Sequence, residues 1–327
     1  MKMEDTVKTI ASEFGLPLEN VKNTVQLLED ENTVPFIARY RKEMTGNLDE
    51  EEIREIRDRL DYICRLEERK EEVIRLINKQ DKLTSELEEK IINASILQEV
   101  EDLYRPYKQK KRTRAAKARE KGLEPLAELI WEQQDSSVNL KEAAEEYLDP
   151  ENEINTIEEA LAGARDIIAE WVSDDPDIRK GVRKLTYEQG KIESSIRDKE
   201  DDEDGKYQMY YDFSEPVKEI KHHRVLALNR GENEEILKVK ITAPEENIIA
   251  YIEAREMEGE VFCEQLREGI EDSYKRLIAP SIEREIRGKL TERAEEHALD
   301  VFGQNLRSIL LQPPLKGKVI MGIDPGF

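Results

Sequence analysis

Apolar residues recur every three or four positions along most of this chain. Val7, Ile10, Ala11 and Phe14, then Val21, Val25 and Leu28, predict two short helices over Thr6–Phe14 and Leu18–Glu29, broken at Gly15-Leu16-Pro17. From Asp49 a longer charged helix carries Ile53, Ile56, Leu60, Ile63, Ile74 and Ile77 at alternating three-four spacing, interrupted by Glu67 and Lys70, up to a turn at Asn78-Lys79-Gln80-Asp81. A second helix from Thr84 to about Asp102 places Leu87, Ile91, Ala94, Leu97 and Val100 on one face, so the two predict an antiparallel hairpin. Residues Ile154–Ile196 read as a further helical unit: Ile157, Ala160, Leu161, Ala164, Ile167, Ile168 and Trp171 form a wide apolar face, and Asp174-Asp175-Pro176 starts the helix of Ile178, Val182 and Leu185.

Beyond the acidic run Asp198–Gly205 the period shifts toward two. Val225–Leu228 and Leu237–Thr242 predict short strands, with a turn at Asn229-Arg230-Gly231. Helices resume over 247–268 and 272–311, with Tyr274, Leu277, Ile278, Ile282, Ile286, Leu290, Ala294 and Leu299 facing inward. After Gln312-Pro313-Pro314, Lys318–Ile323 predicts an apolar strand running into Asp324-Pro325-Gly326, the way an α/β domain begins. The expected fold is mainly α and multi-helical, with a long hairpin, helix-turn-helix-like units and a small α+β part. The expected divisions are 1–50, 51–103, 104–200, 201–316 and 317–327, the last being the first strand of a truncated domain.

Composition sharpens this picture. Charged residues make up 39% and aromatics 6% of 327 residues, and the mean hydropathy is -0.75. Such a chain builds narrow apolar stripes and broad solvated faces. No apolar run approaches the roughly 20 residues of a membrane span, and MKMEDTVKTI lacks a signal-peptide core, so a cytoplasmic protein with no membrane partner is expected. Cys64 and Cys263 lie far apart and are expected as free thiols.

Against a net charge of -23, the segment from Leu103 to Lys121 stands out: between Arg105 and Lys121 there are nine Lys or Arg and one acid. An acidic body repels phosphate everywhere except at such an island. Tyr104 and Tyr107 could stack on bases while Arg105, Lys108, Lys110, Lys111, Arg112, Arg114 and Lys117 follow phosphates of RNA or DNA. The alternative is equally open: the tyrosines pack the hairpin base and the cations pair with acidic helices. Pro106 predicts an extended Tyr-Arg-Pro-Tyr stretch, and Thr113–Lys121 a helix ending at Gly122.

Other chemistry is sparse. Three histidines and two cysteines offer no zinc spacing, and Asp198–Gly205 lacks the alternation and terminal Glu of an EF-hand loop. His222-His223 has no nucleophile motif beside it and reads as structural or surface. The first helix pair reads as packing, since Glu19, Glu29 and Asp30 would oppose a DNA groove. Neither cofactor nor catalytic residue is assigned.

Five stretches carry a resemblance: VPFIARYRKEMTGNLDE (34–50), VEDLYRPYKQKKRTRAAKAREKGLEPLA (100–127), ALAGARDIIAEWVS (160–173), HRVLALNRGE (223–232) and MGIDPGF (321–327). In order and over essentially the whole chain, they resemble the bacterial Tex family of transcription accessory proteins. The resemblance implies a helical N-terminal region followed by an RNase H-like domain, helix-hairpin-helix repeats and an S1 RNA-binding domain, so that this chain stops at the first RNase H-like strand. Asp324 then falls where RNase H-like nucleases place a metal-binding carboxylate, but its companions are missing and no catalysis is expected. Two readings follow: a transcription accessory factor contacting nucleic acid through the island, or a scaffold docking RNA polymerase or another transcription protein, with nucleic-acid binding left to the S1 domain.

Overall fold

The computed structural model describes residues 3–108, 112–133, 139–197, 202, 205–257, 259, 261–313, 316–319 and 321–323. The chain divides into two compact units, residues 1–110 with 174–176, and residues 111–173 with 177–327.

The first unit is helical. Helices α1 (Met3–Phe14) and α2 (Leu18–Glu29) form as the periodicity predicts, with Gly15 at φ +65° in the left-handed conformation that ends α1. Two short helices follow, α3 (Val34–Tyr40) and α4 (Lys42–Thr45), and then α5 (Glu50–Asn78). Asp49 starts α5 with a capping box: its carboxylate accepts from the Glu51 and Glu52 amides at 2.9 Å, and Glu52 Oε2 accepts from the Asp49 amide at 2.8 Å.

One core joins Val7, Ile10, Val21, Val25 and Ile37 to the first half of α5 through Ile53, Ile56, Leu60 and Ile63. Its second half buries Leu66, Val73 and Ile77 against Ile91, Ala94 and Val100. Ile91 and Val100 come from two helices, α6 (Ser85–Asn93) and α7 (Leu97–Tyr104), where the sequence predicted one, and Ala94 caps the first. Ala94 leaves the helix at ψ 132°, and the Ser95 amide is taken by Glu99 Oε2 at 2.9 Å, a local bond that competes with the helical ladder. The Tyr-Arg-Pro-Tyr stretch is also not extended. Arg105–Tyr107 is a 3-10 turn continuing α7, because Pro106 occupies an opening position where its missing N–H costs nothing.

The second unit opens with α8 (Arg114–Glu120), α9 (Glu124–Glu132) and α10 (Leu140–Glu145). It centres on α11 (Ile157–Asp174), whose Ala160, Ala164, Ile167, Ile168 and Val172 are fully buried. Each buried Ile or Val there contributes about 1.5–3 kcal/mol. Helix α12 (Pro176–Gln189) is followed by a three-stranded antiparallel sheet: β1 (Lys191–Ile196) lies between β2 (Asp212–Pro216) and β3 (Leu237–Thr242). The helical unit expected to reach Ile196 therefore ends at Gln189.

The strand predicted over Val225–Leu228 is instead part of α13 (His222–Asn233), and its supposed turn is helical. Val225, Leu228 and Gly231 recur at helical spacing and are buried, with Leu228 and Gly231 over Leu237 of β3. Helices α14 (Glu245–Glu256) and α15 (Cys263–Asp272) lead through a π-helical turn (Ser273–Ile278) into α16 (Ala279–Leu310). Ile282, Ile286, Leu290 and Ala294 face inward, but Leu299, predicted with them, is exposed.

Asp202 is buried and accepts from the Tyr207 amide at 2.8 Å and the Tyr211 hydroxyl at 2.7 Å. Residues 198–201, 203, 204 and Asp324 lie outside the described residues. The described residues of Lys318–Ile323 form no strand, and Val319, Met321 and Ile323 are exposed, since a strand needs a partner for its amides.

Candidate nucleic-acid interface

The predicted site residues fall into two groups. Tyr104, Arg105, Tyr107 and Lys108 lie in the first unit, whereas Arg112, Arg114 and Lys117 lie in the second. Lys110 and Lys111 lie outside the described residues.

In the first group, local contacts occupy the chemistry. Tyr104 and Tyr107 pack against the core of Leu66, Val73 and Val100. The Tyr104 ring carries the Arg69 guanidinium at 5.5 Å and the Lys108 ammonium at 5.6 Å. Lys108 is ion-paired to Glu101, which also accepts from Arg69 Nε at 2.6 Å. Burial works against the Glu101 carboxylate, but its hydrogen bonds to Arg69 and Lys108 outweigh this and hold its pKa below the ordinary value. Arg105 Nε lies 3.3 Å from Asp174, and Gln80 donates to the Tyr107 carbonyl at 2.9 Å.

The second group is built differently. Thr113 caps α8 by accepting from the Ala116 amide at 3.0 Å, and Gly122 at φ +78° ends the helix as predicted. Ala115 and Ala118 turn inward, which leaves Arg114 and Lys117 on the exposed face. A buried carboxylate anchors the helix: Glu170 accepts from Thr113 Oγ1 at 3.1 Å and from Arg119 at 2.7 Å. Arg119 also donates to Glu124 at 2.9 Å, and Lys121 lies 3.6 Å from Glu153.

Among the described residues, Arg114 and Lys117 form no ion pair. Among the described residues Arg112 reaches only Glu120, at 3.4 Å, with 73% and 60% of the two side chains exposed. Arg114 is among the cations that favour the charged form of Asp166, whose pKa is nevertheless raised, chiefly by burial. Among its described residues the island thus contains paired cations, Arg105, Lys108, Arg119 and Lys121, and a more exposed, free set, Arg112, Arg114 and Lys117, in which Arg112 has only the exposed Glu120 and the other two have no ion pair.

A further aromatic and cationic cluster, on α3 and α4, went unread in the sequence except as part of the resemblance. Its signal is Tyr40 set between Arg39 and Arg41. Away from these surfaces, His222 stacks on His297 at 4.6 Å between ring centroids, and both are exposed. Cys64 and Cys263 are free. Among the described residues no group of three His, Cys, Asp or Glu is placed to hold a metal, and no helix is long and apolar enough to cross a membrane.

Comparison with known proteins gives the family. Residues 4–78 match the family model described as Tex-like protein N-terminal domain, and residues 135–302 match that described as Tex central region-like. The chain is 52% identical over 321 residues to the uncharacterized protein YdcI of Bacillus subtilis, covering 97% of this chain and 44% of that protein. It is 35% identical over 327 residues to the transcriptional accessory protein Tex of Neisseria gonorrhoeae, covering 98% and 43%. It is 32% identical over 340 residues to the human S1 RNA-binding domain-containing protein 1, covering 99% and 34%. The chain therefore spans less than half the length of these relatives. With one family model covering residues 135–302, another covering residues 4–78, and a relative of this name aligned along nearly all of it, this chain belongs to the Tex family.

Proposed function

We propose that this chain is the helical N-terminal part of a cytoplasmic, non-catalytic transcription accessory factor, and that it contacts the phosphate backbone of nucleic acid through the basic segment. One observation carries the reading. In a protein of net charge -23, Arg112, Arg114 and Lys117 are exposed in and just before α8, and among the described residues the one ion pair they make is that of Arg112 with the exposed Glu120. Cations so presented release counterions when they meet phosphate, which favours binding most at low salt. The neighbouring Lys110 and Lys111 belong to the same stretch of sequence. The names of two relatives, a transcriptional accessory protein and an S1 RNA-binding domain-containing protein, point the same way.

The paired state of Arg105 and Lys108, and the cation-covered ring of Tyr104, favour a second reading for that part of the island: a braced surface that docks a protein of the transcription machinery, RNA polymerase included. Fluorescence anisotropy of a labelled single-stranded RNA and of a DNA duplex, from low to physiological salt, separates the two. Binding that weakens steeply with salt, and loses about 2 from its logarithmic salt slope in R112Q/R114Q/K117Q, supports phosphate contact. No binding at low salt, or a slope unchanged by that variant, leaves the scaffold.

A further inference from the structure

Between α3 and α4 the chain breaks helical register at Arg41, which sits at φ -128°, ψ 21°. The break has a consequence for four consecutive side chains. In an uninterrupted helix, four in a row span every face and one or two turn inward. Here Ile37, Ala38 and Thr45 take the buried positions, and Arg39, Tyr40, Arg41 and Lys42 are all exposed.

Tyr40 is 67% exposed, although an aromatic ring of its size favours burial. Its ring lies 5.3 Å from that of the half-buried Phe36, tilted by 46°. The Arg41 guanidinium sits 5.1 Å from the Phe36 centroid and donates to the Tyr40 carbonyl at 3.2 Å, which holds it beside the ring pair. Among the described residues, Arg39, Arg41 and Lys42 form no ion pair, in a chain with 75 acids against 52 Lys and Arg. An open ring bracketed by uncompensated cations matches one ligand chemistry in both parts. Unpaired bases stack on the ring and the guanidinium plane, and the intervening phosphates meet the charges. A duplex offers no base face to such a ring, and an acidic peptide has no use for it.

We infer that Phe36, Tyr40 and Arg41, flanked by Arg39 and Lys42, form a stacking site for single-stranded nucleic acid in the first unit, separate from the basic segment. This rests on the nucleic-acid reading above and adds a place where bases, not only phosphates, are held.

The test uses a labelled oligo(dT) of about 12 nucleotides and an abasic strand of the same length and charge, titrated against this chain. Wild type is expected to bind oligo(dT) more tightly than the abasic strand. Tyr40→Ala is expected to lower oligo(dT) affinity by about 5- to 100-fold while leaving abasic binding unchanged, and Tyr40→Trp to restore it. R39Q/R41Q/K42Q is expected to weaken both strands. If Tyr40→Ala binds oligo(dT) like wild type while R112Q/R114Q/K117Q loses binding, the stacking site is overturned and the phosphate reading stands. No binding of either strand by wild type removes both. Tight binding of a polyglutamate peptide without oligonucleotide binding gives the patch to an acidic protein and likewise overturns it.

Discussion

The ammonium of Lys70, in the middle of α5, donates to the main-chain carbonyl of Ile92 at 2.8 Å and to Glu67 at 2.9 Å. Ile92 lies in the last turn of α6, where carbonyls lack helical partners, so a buried charge from α5 satisfies the end of a helix packed against it. Replacing Lys70 by Met keeps the stem and removes the donor. The expected cost is about 1–3 kcal/mol, read as a lowered urea midpoint with an unchanged m value. A variant as stable as wild type would show that this bond does not hold the break between α6 and α7.

Arg59 joins α5 to α1 through a two-pronged pair with Glu13, both contacts at 2.6 Å. The hydrogen bond from Arg59 holds the Glu13 pKa below its ordinary value of 4.5. A depressed carboxylate stabilises the fold at pH above its unfolded value, and that contribution is lost as pH falls through the folded value. Both side chains are partly exposed, so the effect is under about 1 kcal/mol. The Tm difference between wild type and Glu13→Gln should be constant at pH well above the ordinary Glu value of 4.5 and shrink as the pH falls through the lowered folded-state value. A difference that persists in acid would contradict the assignment.

Gly231 is set by packing, not by a turn. A methyl group there would lie 2.6 Å from Leu237 Cδ1 and 3.1 Å from Tyr207 Cδ1. Gly231→Ala raises helix propensity in α13 yet is expected to destabilise by about 1–3 kcal/mol through overpacking. Thermal melting decides the sign, since a gain in Tm would mean that the sheet gives way without cost.

Within the basic segment, Arg119 and the free set should part company. Arg119→Gln removes the donor held by Glu170 and Glu124, so it should lower stability by about 1–3 kcal/mol and leave the salt slope of any nucleic-acid binding unchanged. R112Q/R114Q/K117Q should do the reverse. If Arg119→Gln shifted the slope as much as the triple variant, the division into fixed and free cations would be wrong.

Much of this was legible in the residues. Periodic apolar positions gave α1, α2, α5, α11, α12 and α16 close to their observed ranges, and Gly15 and Gly122 marked helix ends, because these features depend on neighbours three or four residues away. The basic segment was visible as a run of charge. What only tertiary contacts decided lies where a residue's partner is distant in sequence. Val225–Leu228 is apolar enough for either a strand or a helix, and packing over β3 made it a helix. The same holds for charge: composition counted Arg119 and Lys117 alike, but a carboxylate 51 residues away at Glu170 fixes the first, and only the fold leaves the second to solvent.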